Sequence, residues 1–499
     1  MIFTRYQLFR WALIAFLIGV AFSYLGIYET GDALVLLGCA FVTIICGRKN
    51  RTLVCIGVIS FFFFFGVARA LVYEHTHAAQ LSYTPITFSG TIIRQSFLPD
   101  GRQNILIRFE QGGDSGQGVM RMHLQSMPLY HVDDQVAGTC VALYSSLNTQ
   151  STQLQFYRIP PLCRGGSLES VRMPSFFGVR IMRTFKDWIG EALHRGLPSP
   201  ESDLLEGLLI GNQTGASRAF VDIFRRAGIS HIVAISGYNI SLVIAAMWSV
   251  LRCSPFGRRK SMWILAGGTI MFVIVTGASP SSVRAAIMGI AVLCAQYLGR
   301  SSQTITTLLF TAVLMVVFDP GLVLFNVGFQ LSFLATLGIV VLVPLLTVGE
   351  WPPPLWGLRD IAFQSVAATL FTQPVIFYTF HTVSVVGLAA NMAILPVIPI
   401  IMILGFGWST LAMFALIGDH FPPFSLHGIV TLFGLPLYGF LAYVVSAATW
   451  FATMPFAVIH IPSAEWIPLA VCAWYGTLWW SIDALRRRVQ RVQGLDSSL

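Results

Sequence analysis

Residues 228–252 read GISHIVAISGYNISLVIAAMWSVLR, an apolar run of membrane length that is interrupted at its centre by Ser236-Gly237-Tyr238-Asn239. Hydrocarbon contains no water to bond freed backbone groups, so a polar, glycine-centred break at that depth is tolerated only against a cavity or another helix. Breaks of this kind usually mark places where something polar is held or passed. The segment therefore predicts a membrane protein whose function depends on a broken helix.

Composition indicates a mainly α fold, a polytopic helical membrane protein. Of the 499 residues, 55% are hydrophobic and only 11% are charged, whereas soluble globular proteins carry roughly 25% charged residues. At about 20 residues per span, we count about eleven candidate transmembrane segments, some of them broken. Three of them lie near 11–28, 32–47 and 52–73, and the others lie between 229 and 482.

The formal net charge of +9 is explained first by membrane topology. Basic residues precede the first span and follow the second span, the broken segment and the last span. They are Arg5, Arg10, Arg48, Lys49, Arg51, Arg252, Arg258, Arg259, Lys260, Arg486, Arg487, Arg488 and Arg491. The positive-inside rule then places both termini in the cytoplasm, residues 74–200 outside it, and a basic tail at 486–499 inside. The first apolar run has no small-residue cleavage site and is expected to be a retained anchor.

Between residues 85 and 165 the apolar pattern changes to the period-two alternation of strands. Five strands are predicted, at 86–94, 103–109, 119–124, 135–144 and 152–157, with a Pro99-Asp100-Gly101 turn between the first two. Five short strands favour a small β-barrel or OB-like domain, which we place at 74–170. Its arginines and acids nearly balance, so the sequence gives little support for DNA contact by this domain.

Cysteine usage predicts one disulfide and no metal site. Cys140 and Cys163 lie in the region predicted to face an oxidising compartment, which makes them a candidate pair. The other cysteines fall in or beside apolar segments, where they are expected to pack as small residues. No Cys/His spacing resembles a zinc site and no GxxxxGK[ST] loop occurs, so neither a metal nor a cofactor is expected.

A connecting region, placed at 171–228, joins the β domain to the broken segment. Residues 174–195 are amphipathic at helical spacing, which is typical of a helix in the headgroup layer or of one packed on the barrel. Two shorter helices are predicted around 200–210 and 216–227, separated by GNQTG. A transmembrane channel domain is placed at 229–485.

Polar side chains accumulate within the later apolar segments. A charge at the bilayer centre costs roughly 2.5–3.5 kcal/mol, so such residues normally face a cavity, although any one of them can instead bond a neighbouring helix. Arg284 is the strongest candidate, since it lies one turn past Pro280 and its guanidinium could receive a phosphate or pair with lipid headgroups. The other candidates are His231, Ser236, Asn239, Gln296, Gln330, Gln364, Gln373, His381 and Asn391.

Five blocks of the chain resemble, in order, the ComEC-type competence protein family, the DNA internalisation channels of bacterial inner membranes. They are GLLIGNQTG (207–215), FRRAGISHIVAISGYNISLV (224–243), TGASPSSVRAAIMGIAVLCAQYLGR (276–300), FDPGLVLFNVGFQLSFLATLGI (318–339) and TQPVIFYTFHTVSVVGLAANMAILPVIP (372–399). The resemblance implies that one DNA strand crosses the inner membrane through this chain during natural transformation. It also implies an extracytoplasmic DNA receptor and a cytoplasmic helicase or ssDNA-binding protein as partners.

The resemblance also indicates residues for the DNA path. His231, Ser236, Gly237, Arg284, Gln330, Ser332 and Asn391 match recurring polar positions of the family, and on chemical grounds we add Asn239 and Gln373. The sequence departs from the family at Asn212, where an acid is common, and at Tyr238-Asn239, where Leu-His is common. Asparagine does not titrate, so proton transfer at that site is not implied.

Many family members carry a C-terminal metallo-β-lactamase-like domain, which is absent from this sequence. The sequence ends in RRRVQRVQGLDSSL and contains no HxHxDH motif. We therefore expect no enzymatic activity, and a separate nuclease if the second strand is degraded.

Two other functions remain open. Ser236 and His381 could form the Ser–His dyad of an intramembrane serine hydrolase. The chain could also transport another polyanion or a lipid-linked polymer.

Overall fold

The computed structural model describes residues 5–23, 36–37, 39–41, 51–77, 86–97, 103–111, 117–124, 135–143, 162–172, 177–211, 217–233, 236–255, 257–300, 303–347, 358–418, 427–460 and 467–492, apart from some of their side chains. The chain forms two compact units. The first comprises Met1–Thr184 and Ala312–Asn326, and the second comprises Phe185–Thr311 and Val327–Leu499.

The main helices are α1 (Arg5–Ser23), α2 (Arg51–His77), α3 (Phe177–Gly196), α4 (Glu201–Ile210), α5 (Arg218–Arg226), α6 (Ser230–Val233), α7 (Gly237–Arg252), α8 (Arg258–Val275), α9 (Pro280–Tyr297), α10 (Thr304–Phe318), α11 (Leu322–Phe325), α12 (Val327–Leu346), α13 (Leu358–Phe380), α14 (Gly387–Ile394), α15 (Ile398–Gly418), α16 (His427–Thr453) and α17 (Ile467–Val492). The strands are β1 (Ile86–Phe97), β2 (Gln103–Gln111), β3 (Gln117–Leu124), β4 (Gln135–Leu143), β5 (Leu162–Arg172), β6 (Thr382–Ser384) and β7 (Val458–His460).

In the first unit, α1 and α2 cross with their backbones in contact. A Cβ atom at Gly19 would collide with the carbonyl of Phe63, and one at Gly66 would collide with the carbonyl of Phe16. Small residues at a crossing point let apolar helices approach closely. In lipid the hydrophobic effect does not drive helices together, so close van der Waals packing of this kind stabilises their association. The glycines therefore allow α1 and α2 to pack as a pair.

Strands β1 to β5 form a closed barrel in the order β1-β2-β3-β5-β4. Its interior holds side chains that are at most 2% exposed, namely Ile92, Ile105, Ile107, Met122 and Val136. The first four strands and the small barrel agree with the prediction from alternation. The OB-like assignment stays a prediction, as do the domain bounds.

The fifth strand differs from the prediction. The structure places it at 162–172, whereas the predicted strand at 152–157 and the Pro99-Asp100-Gly101 turn lie outside the described residues. Cys140 lies on β4 and Cys163 on the adjacent β5. Their side chains are outside the described part of the chain, so the disulfide stays a prediction.

In the second unit, α4 is a buried helix. All of its residues are buried, and it packs against α15 and α16. The two short helices predicted around GNQTG are confirmed as α4 and α5.

The amphipathic segment forms α3, whose buried Ala192 and Leu193 lie near its C-terminal end. Its C-terminal end packs on Trp408 of α15. The sequence had suggested the lipid headgroup layer or the barrel as the partner of this helix, and neither prediction named α15.

Four of the described helical segments are long and apolar enough to cross a membrane. They are Val54–Leu71, Val327–Leu346, Leu358–Phe380 and Val430–Thr453; α14 and the first part of α15 make a fifth if the pair, bent by 49°, is counted as one span. This confirms a polytopic membrane protein. The count of about eleven spans stays a prediction, and most of its second segment, 32–47, lies outside the described residues.

Helix α13 contains Pro374, and side chains of α17 donate hydrogen bonds to backbone carbonyls near this proline. Proline has no N–H to donate to the carbonyl four residues earlier, which here belongs to Leu370. The indole Nε1 of Trp474 donates to that oxygen at 3.0 Å, and the hydroxyl of Tyr475 donates to the next carbonyl, Phe371, at 2.9 Å. Side chains from α17 therefore satisfy the backbone where the proline interrupts α13.

Candidate functional site

The break predicted at residues 236–239 is the start of α7. Ser236 is its N-cap: its Oγ accepts from the Asn239 amide at 3.4 Å and donates to Asn239 Oδ1 at 3.1 Å. The Asn239 side chain is buried, and its Nδ2 donates to the carbonyl of Leu208 at 3.3 Å. Leu208 lies in the last turn of α4, whose carbonyls have no partner within the helix. Asn239 therefore joins the start of α7 to the end of α4.

Arg284 lies one turn into α9. Ser279 is the N-cap of that helix and Pro280 its first residue, as the sequence predicted. Arg284 is only 9% exposed. Its Nε donates to Ser332 Oγ at 2.7 Å, and Ser332 donates in turn to Ser281 Oγ at 3.3 Å. These serines from α12 and α9 orient the guanidinium.

The guanidinium of Arg284 has no counter-charge among the described residues. Within the described part of the chain, its Nη1 contacts the thioether of Met288 at 3.6 Å, and its central carbon lies 5.8 Å from the centre of the Phe333 ring. No described carboxylate lies within 4.0 Å of its nitrogens. A buried cation without a counter-charge is costly, which makes this guanidinium a candidate anion-binding group.

The start of α7 meets Arg284 at Gly237. A Cβ atom there would lie 2.7 Å from Arg284 Nη2, so any larger residue would require the end of the Arg284 side chain to shift. The first turn of a helix leaves N–H groups without partners and carries partial positive charge. Ser236 caps the amide of Asn239, which leaves those of Gly237 and Tyr238 without an acceptor inside the helix. Arg284, Gly237, Ser281 and Ser332 together are called the Arg284 site.

The other predicted path residues lie elsewhere in the second unit. His231 is exposed on α6, and Gln330 is half-buried on α12, two residues before Ser332 and turned by about 200° from it. Gln373 of α13 and Asn391 of α14 lie on neighbouring helices, and Gln373 Nε2 and Asn391 Oδ1 are buried without a partner. Buried polar atoms normally bond water or ligand when protein supplies no partner. We call Gln373 and Asn391 the amide pair.

The structure does not form the dyad considered for a serine hydrolase. Ser236 Oγ donates to Asn239, and His381 Nδ1 is buried with no hydrogen-bond partner. His381 follows α13 with a positive φ of 52°, at the entry to β6. Ser236 and His381 are therefore not hydrogen-bonded to each other.

An acidic group on α4 was not predicted as a site. Asp203 and Glu206 are buried, and His194 Nε2 lies 3.0 Å from Glu206 and 3.9 Å from Asp203. Ser199 donates to Asp203 at 2.7 Å. The signal in the sequence was ESDLLEGLLIG, a short apolar helix that carries three acids. Among the described residues, no group of three or more such side chains is arranged to hold a metal ion. The observed contact between Glu206 and His194 links α4 to the end of α3.

Comparison with known proteins places these residues in a family. The family model described as "Competence protein" matches residues 208–486. The chain is 28% identical over 315 residues to "Competence protein ComA" of Neisseria gonorrhoeae, which covers 60% of this chain and 41% of that protein. It is 24% identical over 200 residues to "ComE operon protein 3" of Bacillus subtilis, which covers 40% of this chain and 25% of that protein.

A third relative is the "Uncharacterized protein YcaI" of Escherichia coli, 24% identical over 221 residues, which covers 41% of this chain and 28% of that protein. The chain thus matches less than half the length of each of these relatives. No solved structure gives a significant match. The family model covers more than half of the chain, including the Arg284 site and the amide pair, and the chain belongs to the Competence protein family.

Proposed function

We propose that this chain passes single-stranded DNA across the cytoplasmic membrane during natural transformation. Membership of the Competence protein family and the relatives named for competence support a role in DNA uptake. The observation that carries the proposal is the Arg284 site, where a buried guanidinium without a described counter-charge meets the start of α7. A phosphodiester supplies the negative charge that this site lacks.

The chemistry of the Arg284 site suits a phosphate that binds and leaves again. Ser332 accepts from Nε, so the N–H groups of Nη1 and Nη2 that do not face Met288 could donate to two oxygens of one phosphate. The amides of Gly237 and Tyr238 add donors from the start of α7. One guanidinium binds one phosphate at a time, and a moving strand exchanges one phosphate for the next. Conduction requires binding that is favourable but weak enough to release.

The amide pair would continue a hydrated path. Gln373 precedes the proline that interrupts α13, and Asn391 precedes the 49° bend between α14 and α15. Their unpartnered amide atoms would hold water along the path. Apart from Arg284, a path lined by amides and hydroxyls contains few charges that would trap a polyanion.

The remaining parts of the proposal concern topology and partners. Both termini would lie in the cytoplasm, and residues 74–200 would lie outside it, where the barrel, as an OB-like domain, would face incoming DNA. A separate receptor would deliver the strand, a helicase or ssDNA-binding protein would prevent backsliding, and a separate nuclease would degrade the second strand. The chain itself would act as a channel, not as an enzyme.

The test is uptake of labelled DNA by a transformable host that carries Arg284→Ala. We expect DNA to bind the cell surface normally and its entry to fall to the background of a deletion strain. Arg300→Ala, an exposed arginine just after α9, is the matched control and is expected to transport normally. Normal entry with Arg284→Ala would contradict the proposal.

Transport of a different phosphate polymer would use the same site. Deleting the gene and measuring transformation frequency separates the two functions, because only a DNA channel is required for transformation. A deletion strain that transforms at the normal frequency would favour the other polyanion.

A further inference from the structure

Tyr238 is the sequence neighbour of Gly237 in the Arg284 site. It is the second residue of α7, directly after Gly237, and 47% of it is exposed. The side of α7 that packs with α8 and α9 includes Ile240 and Ile244. A helix turns by about 100° per residue, so Tyr238, two residues before Ile240, is turned by about 200° from it and lies away from this packed face.

Short, exposed side chains follow Tyr238 along one face of α7. Ser241, Ala245 and Ser249 follow it at helical spacing, and all three are exposed and small. The two hydroxyls bond carbonyls of their own helix, Ser241 to Gly237 at 3.1 Å and Ser249 to Ala245 at 2.9 Å. Side chains this short add little cover along that face of α7, in keeping with the exposure of Tyr238.

We propose that the Tyr238 ring stacks on a base of the DNA strand whose phosphate binds at the Arg284 site. This inference rests on the proposed function and adds a residue that recognises single strands. An aromatic ring can stack on any unpaired base, whereas the bases of a duplex already stack on one another. Phosphate binding by Arg284 alone would not distinguish the two forms, because both present the same backbone. Tyr238 would thus make the site selective for single-stranded nucleic acid.

The experiment measures oligonucleotide binding to the purified full chain in detergent by fluorescence anisotropy. The probes are an oligothymidine and an abasic phosphodiester of the same length and charge. We expect Tyr238→Ala to weaken oligothymidine binding about tenfold and to leave the abasic probe unaffected. Tyr238→Phe, which keeps the ring, should bind both probes like the natural chain. Val250→Ala, at an exposed residue on another side of α7, is the matched control.

The possible failures are distinguishable. Oligothymidine binding that is unchanged in Tyr238→Ala, or weakened equally for both probes, would overturn the stacking proposal and leave the channel proposal standing. Arg284→Ala should weaken the binding of both the oligothymidine and the abasic probe. Unchanged binding of both probes by Arg284→Ala would instead refute the phosphate site on which the proposed function depends. Size-exclusion chromatography is the folding control. If Tyr238→Ala elutes at the same volume as the natural chain, a change in its binding reflects the lost ring and not misfolding.

Discussion

Arg284 depends on neighbours from three helices. Its place one turn into α9 was predictable, because Ser279 and Pro280 start the helix through local spacing. Its partners were not predictable, since Ser332 lies 48 residues further along the chain and Gly237 belongs to a different helix. The sequence alone shows that these residues are polar or small, but it contains no sign that they meet. The contacts in the structure turn a set of candidates into one site.

Gly237→Ala tests the geometry of this site without removing its charge. The added Cβ would lie 2.7 Å from Arg284 Nη2 and would require the guanidinium to shift, so we expect DNA entry to fall, but less than with Arg284→Ala. Alanine is intrinsically favoured over glycine in helices by roughly 0.5–1 kcal/mol, which opposes any general loss of stability. The measurement is uptake of labelled DNA together with the midpoint of thermal unfolding in detergent.

Gly267→Ala on α8 is the matched control, because a Cβ there would meet nothing within 4 Å. It should leave both uptake and the unfolding midpoint close to those of the natural chain. Uptake that is equal in the two variants would show that the close approach of α7 to Arg284 is unimportant.

At the scale of elements, local patterns predicted the strands well where side chains alternate and failed where they do not. Strands β1 to β4 alternate, and their apolar residues fill the barrel. Strand β5 contains Gly165-Gly166 and pairs with β4 through register shifts, so its sequence shows no such period. Its place in the barrel depends on pairing with β3 and β4, which a pattern in β5 alone cannot reveal.

The interruption of α13 gives a prediction about stability. Replacing Trp474 by Phe keeps an aromatic ring but removes the N–H that reaches Leu370, which leaves that carbonyl without its donor. We expect the free energy of unfolding to fall by about 1 kcal/mol. Trp480→Phe, a more exposed site on the same helix, is the control and should change little. Equal thermal midpoints for the two variants in detergent would show that Trp474 does not support the interrupted helix.

For the whole molecule, composition was sufficient to predict a polytopic membrane protein. Contacts between segments far apart in the sequence could not be predicted from it. Residues Ala312–Asn326 belong to the first unit although the chain on both sides of them belongs to the second. Arg69 of α2 supports this placement, since its Nε donates to the carbonyl of Val317 in the last turn of α10 at 2.8 Å. The separation of 248 residues lies far beyond any local pattern.

If the chain is a DNA channel, water and DNA must reach the Arg284 site inside the membrane. The most direct test is labelling of Ser281→Cys, in a chain whose native cysteines are replaced, by a water-soluble thiol reagent in living cells. Thiols react with such reagents as thiolates, which form only where water is present. We predict that Cys at position 281 reacts and that labelling slows during DNA uptake, whereas Leu342→Cys in the packed core stays unreactive. An unreactive position 281, or labelling that DNA uptake does not slow, would show that the Arg284 site is not on a hydrated path for DNA.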